Sequence, residues 1–107
     1  MKPGGKTVVI PVGGLIAAGF DPQEKYFLAV SHSGRGVFDV HTWERVARDA
    51  QASYPENGFV TGIGLLSGLQ IQVASLDSDH PIRVISPSGQ IMVECESHCM
   101  TVVTNDC

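Results

Sequence analysis

Three groups of residues have types and spacings that bear on chemistry. Ser31, His32 and Ser33, with Asp39 or Asp49, supply the parts of a hydrolase triad. The Gly-x-Ser-x-Gly elbow that would expose such a serine is missing. On a strand, His32 and Ser33 point to opposite faces and cannot pair directly. Hairpin chemistry is the alternative: Ser33-Gly34-Arg35-Gly36 offers the small residues of a tight turn. Cys95, His98 and Cys99 are soft ligands at short spacing, with Cys107 as a possible fourth for zinc. The Cys-x-x-Cys knuckle is absent, and Cys95 alternates with Ile91 and Val93 as a core residue would. Gly34-x-Gly36 and Gly62-x-Gly64 lack the third glycine and the Lys-Ser of a phosphate loop. They fit close packing or a bulge better. The reading therefore assigns no catalytic residue, no metal and no cofactor, and expects a protein that is not an enzyme.

The remaining chemistry is that of surfaces. The chain carries a formal net charge of −4. Lys2, Lys6, Lys25 and Arg35 outweigh Asp21 and Glu24 in the first third, while acids dominate everything after it. An acidic chain repels phosphate backbones, which argues against nucleic acid as a partner and leaves a basic protein allowed. Trp43, Tyr54 and Phe59 are too few, and too little interleaved with basic residues, for a base-stacking platform. Trp43, at a turn, is either a lid on the core or an anchor for a partner.

These residues must be positioned by short strands. Turn signals recur at Pro11–Gly14, Asp21-Pro22, Ser33–Gly36, Pro55–Gly58, Ser67-Gly68, Asp77–Pro81 and Ser86–Gly89, with runs of Val, Ile, Leu and Phe between them. The pattern predicts an all-β fold: one domain over residues 1–107, an antiparallel meander of hairpins forming a curled sheet or two packed sheets. Strands are expected near residues 6–12, 25–33, 36–41, 44–49, 59–66, 69–76, 82–86, 91–96 and 100–104. Tyr26–Val30 is apolar on both faces and reads as a central strand. Leu69, Ile71 and Val73 alternate with glutamines, giving one dry face, and Ser67-Gly68 is placed to close a hairpin before them. Thr42–Ala52 has a weak helical stripe, but its shortness favours a strand. No apolar run approaches the ~20 residues of a membrane span. Three cysteines crowded near one end are no disulfide framework, which suggests a reducing cytoplasm.

The segment "FDPQEKYFLAVSHSGRGVFDVHTWERVARD" resembles a blade of a WD-repeat β-propeller. Phe20, Asp21, Pro22 and Leu28 match its start, Val37, Phe38 and Asp39 its third strand, and Trp43 stands where the blade has Gly. "VISPSGQIMVE", from Val84 to Glu94, is a weaker echo. Two such units cannot close a propeller, so the likeness implies a blade-like meander. The motifs "SHSGRGVFD", "TWERVARD", "YPENG" and "GIG" also resemble small bacterial immunity proteins of contact-dependent inhibition and polymorphic toxin systems. That resemblance implies an antitoxin that occludes the active site of a cognate, basic toxin domain, such as a ribonuclease. Acids near the third and fourth predicted strands would face the toxin: Asp39, Glu44, Asp49 and Glu56, beside Trp43 and Tyr54, with Asp77 and Asp79 as a second patch. The rival readings are an enzyme built on Ser31/His32 or Cys95/His98/Cys99, and a module that self-associates through an open sheet edge.

Overall fold

A computed structural model describes residues 6–51, 54–76 and 80–104. Their regular structure is antiparallel β throughout, apart from one turn of 3-10 helix at Gly64–Leu66. The strands are β1 (Lys6–Pro11), β2 (Leu15–Phe20), β3 (Tyr26–Ser31), β4 (Gly34–Asp39), β5 (Arg45–Asp49), β6 (Phe59–Thr61), β7 (Gln70–Gln72), β8 (Ala74–Ser75), β9 (Ile82–Ile85), β10 (Ile91–Cys95) and β11 (Cys99–Thr104). They form three layers. A five-stranded sheet, β5-β4-β3-β2-β8, lies in the middle. A four-stranded sheet, β1-β11-β10-β9, covers one face, and the ribbon β6-β7 with the 3-10 turn covers the other.

The sequence of β3 explains why the middle sheet needs two covers. Successive side chains on a strand point to opposite faces. Phe27 and Ala29 enter a first core with Phe20, Phe38, Trp43, Val93, Cys95, Met100 and Val102. Leu28 and Val30 enter a second with Val37, Val60, Leu66 and Ile71. The doubly apolar strand expected at Tyr26–Val30 is thus central in both senses. The alternation of Val93 and Cys95 likewise runs into the first core, and both are fully buried.

Several expectations need correction. β2 was not foreseen: "LIAAGF" is small in its middle, Ala17-Ala18-Gly19, and buried along nearly its whole length, so it has no alternation and only Ile16 and Phe20 as strong β-formers. Its small residues permit close approach. A Cβ on Gly19 would stand 2.0 Å from the Gln72 carbonyl oxygen. The run 69–76 is two strands, because the chain leaves β6 at Val73 and β8 pairs with β2 instead. Leu69 is 49% exposed, so the dry face holds only Ile71 and Val73. Nor does Ser67-Gly68 close a two-residue hairpin, since β6 ends at Thr61 and the 3-10 turn intervenes. The β3–β4 turn is His32-Ser33, two residues before the predicted one, and Gly34 pairs with Ser31. Residues Arg45–Asp49 are strand and not helix. The segment Phe20–Asp49 folds as three consecutive antiparallel strands, β3 to β5, and β2, which ends at Phe20, is hydrogen-bonded to β3.

Candidate binding surface

The most structured surface lies where β4 and β5 pair. Opposite residues of an antiparallel pair share a face, and the register sets Gly36 against Arg48, Val37 against Ala47, and Phe38 against Arg45. The register slips between Val37 and Phe38, which is a β-bulge. Arg45 and Arg48 are three apart and would lie on opposite faces of a regular strand. The bulge brings both to the face of Phe38, toward the four-stranded sheet. There they line a cleft of about 240 Å³ with Ser31, Ser33, Ala29 and Val12. Gly36 forms part of its wall. The space a side chain would take there lies 3.4 Å from Arg45 Cδ and 3.7 Å from the Phe38 ring.

Arg35 and Asp49 are opposite each other and form a clasp. Arg35 donates from one terminal guanidinium nitrogen to Asp49 Oδ2 at 2.6 Å, and from Nε and its backbone N–H to Oδ1 at 3.3 Å each. The other terminal nitrogen donates to the Thr61 carbonyl at 2.9 Å. One guanidinium thus ties β4 to β5 and to the outer ribbon. The hydrogen bond from Arg35, aided by its charge, holds the Asp49 carboxyl below the usual carboxylate range. Beyond the clasp lies a second groove of about 340 Å³, lined by Arg35, Tyr54, Glu56, Phe59, Thr61 and Gln70. Tyr54 is 63% exposed and Phe59 40%.

The acids expected to face a partner are therefore divided. Tyr54 and Glu56 meet in this groove, with Phe59. Asp49 is committed to Arg35. Asp39 shapes the β4–β5 turn, accepting from the backbone N–H groups of His41 at 2.7 Å and Thr42 at 3.3 Å. Glu44 is exposed at the same turn. Asp77 and Asp79 lie outside the described residues. Arg45, the first residue of β5, and Arg48, near its end, lie among these acids and were not expected to form a site. Their shared face was legible only with the bulge.

Trp43 is corrected as a partner anchor. It is 8% exposed, packed edge-to-face against Phe27 at 5.6 Å and Phe20 at 6.4 Å, and it closes the first core as a lid. Its φ is +59°, in the left-handed region that glycine usually occupies. Asp39 fixes it there by accepting from the Trp43 N–H at 2.7 Å through its carbonyl.

The other chemical groupings do not assemble. Ser31 Oγ donates to the Gly34 carbonyl at 3.1 Å and contacts Ser33 Oγ, while the exposed His32 ring lies over Gly14. Cys95 is buried in β10, and burial first, then its neighbours Cys99 and Glu94, push its thiol up to about 12. It packs with Val93, Met100 and Val102 as a small apolar side chain of the first core. His98 is exposed between the strands, and Cys107 lies outside the described residues. Among the described residues no three His, Cys, Asp or Glu side chains converge, and no helix is long and apolar enough to cross a membrane.

No protein-family model, curated protein or solved structure matches this chain.

Proposed function

We propose that this protein is a cytoplasmic immunity protein, which binds a basic toxin domain and covers its active site. The observation that carries the reading is the groove beside the outer ribbon, where two exposed aromatic side chains flank an acid. Tyr54 and Phe59, 63% and 40% exposed, line it with Glu56, and Leu65 and Leu69, 65% and 49% exposed, lie in the link between β6 and β7. Exposed apolar residues gathered beside a groove mark an interface with another protein. Tyr54 and Phe59 supply rigid contact area, and Glu56 between them supplies the charge that a basic cleft would meet. The net charge of −4 would speed capture of such a partner.

The test is co-expression with the toxin-domain reading frame that neighbours the gene, followed by purification of the complex and titration across salt. Binding should weaken as salt rises, and Tyr54→Ala and Glu56→Ala should each weaken it roughly tenfold or more. A complex indifferent to both changes and to salt would move the interface elsewhere. Absence of any complex, with survival of toxin-expressing cells unaffected by this protein, would end the immunity reading.

A further inference from the structure

The cleft on the other side of the clasp is lined by Arg35, Arg45 and Arg48 and by one acid, Asp49, which Arg35 already engages. Arg45 and Arg48 project into it, both are exposed, and neither has an acidic partner among the described residues. In a chain of net charge −4, two unpaired guanidinium groups on one wall of one cleft is an arrangement that calls for an anion. The lining suits one. Ser31 and Ser33 contribute hydroxyls at the same cleft, and Ala29, Phe38, Pro11 and Val12 form a drier wall. The position suits one too, since the cleft opens where the β1–β2 link of the outer sheet meets the middle sheet. Two features of the chain build it: the bulge that turns Arg45 to the face of Arg48, and Gly36, which leaves room beside Arg45 Cδ.

We infer that this cleft is a binding site for a compact oxyanion, the phosphate or carboxylate group of a small ligand, held between the Arg45 and Arg48 guanidinium groups with the Ser33 hydroxyl as a further donor. Guanidinium forks match both groups in geometry. The volume of about 240 Å³ admits such a group with a short stem but not a drug-sized molecule. The site is distinct from the Tyr54–Phe59 groove, so it stands or falls independently of the immunity reading.

Titration of the full chain with inorganic phosphate, and separately with acetate, followed by NMR of the backbone amides, tests it at constant ionic strength. The expected result is a saturable shift confined to residues around Ser31–Gly36 and Arg45–Asp49, in the arm whose chemistry the site prefers. Arg45→Gln and Arg48→Gln should each weaken it roughly tenfold. Arg83→Gln, which removes an exposed arginine from β9, at the edge of the four-stranded sheet opposite β1, should leave it unchanged. Both cleft arginines are exposed, so the variants should melt within a few degrees of the parent. Shifts that saturate in neither arm, or saturate equally in Arg45→Gln and Arg48→Gln, would overturn the inference.

Discussion

At the scale of single residues, two glycines of the Ser-Gly-Arg-Gly motif have different jobs. Gly34 has φ +145°, and a Cβ there would sit 2.0 Å from the Asp49 carbonyl oxygen. Gly36 has no positive φ, and its closest obstacle is the flexible Arg45 side chain at 3.4 Å. Gly34→Ala should therefore destabilise by about 2 kcal/mol or more, and Gly36→Ala by less than about 1 kcal/mol. Urea unfolding curves of the two variants check the contrast, and equal losses would contradict it. Trp43 presents the reverse case, a bulky residue in a conformation that suits glycine. The strain costs on the order of 1 kcal/mol, and its buried indole N–H has no hydrogen-bond partner among the described residues. Packing against Phe20 and Phe27 outweighs both. Trp43→Ala should lose about 3–5 kcal/mol, and Trp43→Phe distinctly less, because Phe keeps ring contact and removes the orphan donor.

At the scale of elements, the Arg35–Asp49 clasp is where charge holds strands together. Asp49 has a lowered pKa in the folded protein, so it binds its proton less readily than in the unfolded chain. Its contribution is complete above the unfolded value near 3.8 and is lost as pH falls through the lower folded value. The gap in stability between the parent and Asp49→Asn should be widest at neutral pH, on the order of 1 kcal/mol given the partly exposed carboxylate, and should close below about pH 4. A gap that persists unchanged at pH 2.5 would assign the loss to packing. Elements like these were unevenly legible in the sequence. A run apolar on both faces, such as β3, and a strand with a clear period, such as β10, could be read directly. β2 could not, because its signal is smallness, and smallness means close packing only when the neighbouring strand is known. The hairpin at His32-Ser33 was displaced because Gly34 and Gly36 look like turn residues but serve the β4–β5 contact. The cleft was hidden for a related reason: a bulge changes which side chains share a face, and its one-residue slip has no composition of its own.

At the scale of the whole molecule, the layers are fastened at both ends. Glu24, in the β2–β3 turn, accepts from the Ser88 N–H at 2.7 Å and its hydroxyl at 2.8 Å in the β9–β10 turn. At the other end, the Val12 and Leu15 N–H groups donate to the carbonyls of His98 and Ser97 at 2.9 and 3.0 Å. The first core lies between these fastenings, with Cys95 inside it. Such a core should open only as a unit, and thiol chemistry reports on that. Cys95 has no exposed surface and a thiol pushed up to about 12, whereas Cys99, at the start of β11, is partly exposed. In native buffer an alkylating reagent should modify Cys99 long before Cys95. Cys95 should react only through global unfolding, and its rate should rise with urea in step with the unfolding curve. Peptide mapping after timed quenching distinguishes the two sites. Rapid modification of Cys95 without urea would mean that the outer four-stranded sheet lifts off by itself, and that Glu24 and the 97–98 turn do not fasten it.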